Sequence, residues 1–458
     1  MPLRLLLVRH GLSSFNIEHR VQGRDDLSAL TTEGVRQATA TGEALRGLEI
    51  TAAYTSPLSR ASATAAALLQ AHGGGQSAEP DNGLLEVDLG PWSGLLSREI
   101  RDRFPAGYAL WRQAPHTLEL SRHGQPYLPV PELLEQAADF LERLLERHLP
   151  VVAAAAAQAP ADPPVTVLLV AHNAILRCLL LAALGLPASG FQRLRVDNAS
   201  LSVLNLRRCP DRSVEVQIES LNGTAHLGMP VPPKGEGPRL LLVRHGETEW
   251  NRQGRFQGQI DIPLNGNGRE QAAAAGRFLA DLPLQRAYSS AMARPRQTAE
   301  AILALHPGVP LTSLQALVEI GHGQWEGRLE AEIEAGWPQL LADWKRAPQS
   351  VQMPDGENLQ QVWDRSLDTW ERIARSLDDG ETALVVAHDA VNKTLLCALL
   401  GLSPADIWMV KQGNGGVTVI DYPARQASGP VSAWPVVSSL NLTSHLGGVI
   451  DRTAAGAL

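Results

Sequence analysis

Cysteine, aromatic residues and surplus positive charge are all scarce in this chain of 458 residues. The three cysteines, Cys178, Cys209 and Cys397, stand far apart and without metal-ligand spacing, which argues against a disulfide framework and points to a reducing compartment. Lysine and arginine total 40 against 48 acidic residues, a net charge of -8, and no basic stripe marks a nucleic-acid binder. No apolar run approaches the ~20 residues of a membrane span. The N-terminal Leu5-Leu6-Leu7-Val8 is cut short by Arg9 and His10, which suits a buried strand better than a signal peptide. These absences predict a cytoplasmic protein with neither a nucleic-acid nor a membrane partner; no feature speaks to oligomeric state. What remains is an ordinary globular composition, 44% hydrophobic and 19% charged, in a chain long enough for two or three cores.

The chain repeats itself. Leu5-Leu6-Leu7-Val8-Arg9-His10-Gly11 returns as Leu240-Leu241-Leu242-Val243-Arg244-His245-Gly246. In the same order Asn16 matches Asn251, Gln22-Gly23 matches Gln257-Gly258, and Arg60 matches Arg294. Glu86 then matches Glu319, and Val170-Ala171-His172 matches Val386-Ala387-His388. The matched histidines are 235 positions apart at His10 and His245 but 216 apart at His172 and His388. The first copy therefore carries an extra stretch between Glu86 and His172, placed at the Ala/Pro-rich residues 151–164, whose composition predicts an exposed loop or frayed helix end. Two copies of this length signify a domain duplication. The expected domains are 1–228 and 238–458, joined by a Pro/Gly-rich linker at 229–237.

Within each copy, short apolar runs alternate with helical patterns. Strands are predicted at 3–8, 52–55 and 165–170. Helices are predicted after the capping Thr31, from Leu58, over 132–148 and after His172. This alternation predicts an α/β fold: two tandem three-layer α/β/α sandwiches, each with a largely parallel sheet. Arg9-His10, Arg60, Glu86 and His172 each follow a strand-like run or a short turn after one. In open α/β sheets the carboxyl ends of neighbouring strands line one crevice. Two arginines and two histidines gathered there call for a dianion, and the guanidinium fork matches phosphate oxygens.

The Arg-His-Gly start, the Ser-x-x-x-Arg turn, the Glu before Gly-x-Trp-x-Gly and the Val-x-Ala-His strand end together resemble the histidine phosphatase superfamily, the phosphoglycerate mutase-like family. The likeness spans nearly all of both copies. It implies that His10 and His245 are nucleophiles forming phosphohistidine, and that Arg9, Arg60 and His172, or Arg244, Arg294 and His388, clamp the phosphoryl oxygens. It implies that Asn16 and Asn251 add a hydrogen bond, and that Glu86 and Glu319 act as acid and then base. A neutral histidine is available near pH 7, and the scheme needs no metal or other cofactor.

The copies differ. Leu12 stands where the second copy has Glu247, removing a carboxylate expected near the pocket, and only the second copy has the turn Pro354-Asp355-Gly356-Glu357. The stretches around Gln22 to Thr31, Glu86 to Leu89 and Ala171 to Ala174 are similar to those of plant phosphatases acting on 2-carboxyarabinitol 1-phosphate and their photosynthetic relatives, which implies a phosphorylated sugar or sugar acid as substrate. The leading expectation is a metal-independent phosphatase for small phosphate esters. One rival is a bisphosphoglycerate-dependent mutase, disfavoured because only 69 positions separate Glu319 from His388. Another is that the first copy is a phosphate sensor regulating the second. Substrate choice is assigned to cap segments 93–150 and 326–380, whose Arg98, Arg112, Arg328, Lys345 and Arg346 either meet a carboxylate or face solvent.

Overall fold

A computed structural model of the chain describes residues 2–149, 164–209, 213–425 and 434–453. The extra stretch assigned to 151–164 lies outside the described residues except for Pro164. Two compact units are present, one built on Met1–Pro232 and the other on Pro233–Gln426 and Pro435–Leu458. No helix among the described residues is long and apolar enough to cross a membrane.

The first unit is organised on a six-stranded sheet ordered Val214–Gly223, Leu201–Arg208, Leu3–Arg9, Val165–Ala171, Ala52–Thr55, Glu79–Pro80. Leu201–Arg208 alone runs against its neighbours. In the second unit the order is Val436–Leu442, Val417–Asp421, Arg239–Arg244, Thr382–Ala387, Arg286–Ser290, Leu311–Leu314, again with a single reversed strand, Val417–Asp421. Successive side chains of a strand point to opposite faces. Leu5, Leu6, Leu7 and Val8 are all 3% exposed or less, and Leu240 to Val243 are wholly buried, so both faces of each sheet are covered. The covering layers are helices: Thr32–Ala44 packs with Ser59–His72, and Pro129–His148 with Asn173–Ala183. The second unit repeats this with Gly266–Leu279 against Ala293–Leu303 and Leu359–Ser376 against Asp389–Leu400.

Local chemistry fixes the element ends. Thr31 caps its helix by accepting from the Gly34 amide, as Asn265 does from Gly268. The long helix expected over 132–148 begins earlier, at Pro129, because proline at the first position has no amide to leave unpaired. The first unit also has a tight turn ahead of its long helix, a hairpin of Leu120–Arg122 and Gln125–Tyr127 turning through His123 and Gly124, both at positive φ. The second unit turns instead through Asp355, also at positive φ.

The glycine after each motif histidine is dictated by a close backbone crossing. A Cβ on Gly11 would stand 2.4 Å from the Gly34 carbonyl oxygen, and one on Gly246 would stand 2.3 Å from that of Gly268. The segment carrying the histidine is thereby pressed onto the start of a helix. Gly246→Ala is expected to destabilise the second unit by about 1–3 kcal/mol, the usual cost of overpacking. Urea denaturation followed by tryptophan fluorescence would show this as a lowered midpoint with an unchanged slope.

Candidate active site

In each unit the candidate side chains meet at the carboxyl ends of the central strands. His10 follows Leu3–Arg9 and His172 follows Val165–Ala171, two parallel neighbours, and their rings lie 5.2 Å apart at 62°. His245 and His388 repeat this at 5.2 Å and 68°. All four rings are 2% exposed or less. His10 Nδ1 lies 2.8 Å from the Gly11 carbonyl and His245 Nδ1 2.7 Å from that of Gly246. A carbonyl oxygen only accepts, so Nδ1 carries the hydrogen and Nε2 keeps its lone pair. In the second unit Arg294 Nε donates to that Nε2 at 3.3 Å. Burial, then the adjacent guanidinium groups, push His10 and His245 well below the ordinary histidine pKa; His172 and His388 move the same way, burial again leading.

The arginines are held from behind by main-chain carbonyls. Arg60 donates to Gly23 O at 3.0 Å and Asp25 O at 3.3 Å, and Arg294 donates to Gly258 O at 2.8 Å and Ile260 O at 3.3 Å. The Gln-Gly pairs thus contribute carbonyls that aim a guanidinium. Arg9 donates to Val196 O and Arg244 to Gln412 O. The Nε atoms of Arg9, Arg60 and Arg244, both ring nitrogens of His172, and Nδ1 of His388 are buried without a hydrogen-bond partner among the described residues. Buried donors are normally satisfied, so their concentration here marks a cradle for an anion. Asn16 Oδ1 accepts from Ser13 Oγ at 2.9 Å and Asn198 Nδ2 at 3.1 Å, which leaves its NH2 group as the available donor. Thr248 and Asn414 do the same for Asn251.

Glu86 and Glu319 complete the two sets. The Glu86 carboxylate accepts from the amides of Val87, Ala174 and Ile175, the last two in the first turn of the helix after His172. Glu319 accepts from Ile320 and, at 3.4 Å, from Ala390. Burial first, and then the Asp389 charge, raise Glu319 above the ordinary carboxyl range. The loops that deliver these glutamates are braced alike with the parts exchanged. In the first unit Arg24 donates to Glu86 O, and Gln136 to Gly83 O and Leu85 O. In the second, Gln259 donates to Glu319 O, while Arg365 donates to Ala316 O, Val318 O and Glu319 O and forks onto Glu357.

The Glu247 carboxylate accepts from Asn265 Nδ2 at 2.7 Å at the start of the following helix, a partner not named from the sequence. Arg98 and Arg112 are exposed, Lys345 and Arg346 pair with Glu330 and Asp343 at the surface, and Arg328 donates to Gln324 O. Near the end of each copy, His226 lies beside Thr41 and Ala199 O, and His445 stacks on Phe278. Missed were Asn198 and Asn414, which also hold the main-chain oxygens of His10 and His245. Their appearance at matching places in both copies was the available signal. Missed too were Asp389, Arg177 and Lys393.

The histidine phosphatase superfamily (branch 1) model matches residues 5–218 and again 240–429. A 2-carboxy-D-arabinitol-1-phosphatase of Triticum aestivum is 28% identical over 97% of this chain and 86% of its own length. Phosphoserine phosphatase 1 of Hydrogenobacter thermophilus is 32% identical over 46% of this chain and 94% of its own. A 2,3-bisphosphoglycerate-dependent phosphoglycerate mutase of Gloeobacter violaceus is 35% identical over 38% and 80%. The chain therefore belongs to the histidine phosphatase superfamily, in tandem form. It is a phosphoric monoester hydrolase.

Two outcomes follow from this geometry. In long-range 15N–1H spectra of the ligand-free protein, His10 and His245 should remain neutral Nδ1–H tautomers at pH 6, where a histidine of pKa about 6.5 is mostly protonated. Arg365→Gln should lower kcat of the second unit by on the order of 10²-fold with KM less affected, as misplacement of a reacting group does. Adding Gln259→Arg, which rebuilds the arrangement of the first unit, should recover part of that loss.

Proposed function

We propose that residues 1–228 and 238–458 are two catalytic domains, each hydrolysing small phosphate monoesters, sugar phosphates or phosphorylated sugar acids, through a phosphohistidine. The observation that carries this reading is the pinned imidazole, Nδ1–H on a glycine carbonyl and Nε2 turned to a buried arginine, beside a second histidine. In the first step the Nε2 lone pair of His10 or His245 attacks phosphorus and the ester P–O bond breaks in line. The proton of Glu86 or Glu319 goes to the departing oxygen, which leaves as an alcohol. Arg9, Arg60, His172 and Asn16, or Arg244, Arg294, His388 and Asn251, hold the phosphoryl oxygens as charge develops. In the second step the same carboxylate takes a proton from water, the hydroxide oxygen bonds to phosphorus, and the P–N bond breaks to release phosphate and the neutral imidazole.

The raised pKa of Glu319 supports its acid role, since a carboxyl must be protonated to assist a leaving group. The short cap supports hydrolysis over a mutase cycle, because it offers no long segment to retain a bisphosphate. With Glu247 turned to Asn265, little favours a sensor role for the first domain. The name of the wheat relative supports a sugar-acid phosphate as substrate class.

His10→Ala and His245→Ala, measured separately with acid-quench trapping of phosphohistidine, should each remove one part of the phosphate release. If His245→Ala alone abolishes it, the first domain is a sensor. Arg294→Ala should lower the second domain's kcat/KM by about 10²-fold, the scale of losing a transition-state donor. A loss below tenfold would place Arg294 outside the reaction.

A further inference from the structure

The two sites share their reacting groups but differ in how their cations are balanced. In the second unit Asp389, 5% exposed, lies 3.4 Å from Arg244 and 2.8 Å from Lys393, so one carboxylate compensates two cations. The matching residues of the first unit are Asn173 and Arg177. Asn173 carries no charge; its Nδ2 donates to Val196 O, the carbonyl that also holds Arg9. Arg177 lies one helical turn further along the same face. Its guanidinium rests 5.1 Å over Phe191, and its Nε is buried without a partner among the described residues. The nearby Asp197 is already taken by Arg195 at 2.9 Å. Burial and, next, the charge of Arg9 push Arg177 down to about 10, the direction expected of a crowded cation, and it stays charged at neutral pH. Around Arg9 the first unit thus sets Arg9, Arg60, Arg177 and Arg195 against Glu86 and Asp197. The second sets Arg244, Arg294 and Lys393 against both Glu319 and Asp389.

We infer that the first unit is selective for phosphate esters carrying a second negative charge, a carboxylate, with Arg177 as the residue that confers the preference, whereas the second unit favours esters of uncharged alcohols. This rests on the reading of both units as phosphatases. The charge that Asp389 supplies from within the protein in one site is supplied by the substrate in the other. A like carboxylate at position 173 would repel such a substrate and satisfy Arg177, so the asymmetry works through two residues at once.

A matched pair of esters tests this: 3-phosphoglycerate and glycerol 3-phosphate differ by a carboxylate in place of a hydroxymethyl group. In the full chain, His245→Ala isolates the first unit and His10→Ala the second, and the readout is the acid-to-neutral ratio of kcat/KM. That ratio should be at least about tenfold higher for the first unit, the scale of one charge-assisted hydrogen bond. Asn173→Asp and Arg177→Gln should each lower it by about tenfold, and Asp389→Asn should raise it in the second unit. Ratios within twofold of the parent in both Asn173→Asp and Arg177→Gln would overturn the inference while leaving phosphatase activity in place. If Arg177→Gln loses both esters and p-nitrophenyl phosphate together, and Asn173→Asp keeps the parental ratio, Arg177 is structural and the inference fails. No release from any ester by the His245→Ala protein would overturn the phosphatase reading of the first unit itself, and the selectivity with it.

Discussion

Guanidinium groups buried beside neutral imidazoles, with few carboxylates facing them, are the constraint around which each unit is arranged. Leaving buried charge uncompensated is costly, and no packing of apolar neighbours removes that cost. The fold tolerates it by holding Arg9, Arg60, Arg244 and Arg294 from behind with main-chain carbonyls: Gly23 and Asp25 for Arg60, Val196 for Arg9, and their equivalents in the second unit. These contacts satisfy part of each fork and leave other donors directed into the cradle. Such a set is complementary to a phosphate dianion.

The same positive field sets the state of the histidines. Imidazolium next to buried arginine is disfavoured, so His10 and His245 are kept unprotonated by their surroundings. The glycine carbonyl on Nδ1 then fixes which nitrogen is free. That carbonyl is in place because Gly11 and Gly246 cross the backbone of Gly34 and Gly268 too closely for any side chain. Packing at a glycine thereby decides the tautomer of the histidine before it.

Duplication has preserved this frame while allowing charges to move within it. Arginine and glutamine exchange places in the brace under Glu86 and Glu319, with the same carbonyls held in both cases. The carboxylate at Asp389 has an amide as its counterpart, Asn173, and the cation one turn away is lysine in one unit and arginine in the other. Geometry is retained because transfer to phosphorus demands alignment. Net charge around it differs between the two units.

Much of this was legible in the order of residues alone. The repeat gave the two copies, the periodicities gave strands 3–8, 52–55 and 165–170 close to their observed limits, and the five polar residues at strand ends gave the cradle. These follow from local rules: apolar runs bury, parallel strands align their carboxyl ends, and chain position sets which side chains stand there. Partnership across the fold did not follow. The bond between Glu247 and Asn265 was not foreseen. For the cap cations the choice between a carboxylate and solvent was left open, and Arg177, Asp389 and Asn198 were passed over. Side-chain direction and pairing depend on neighbours distant in the chain, so only the tertiary structure decided which charges meet and which are left for a ligand.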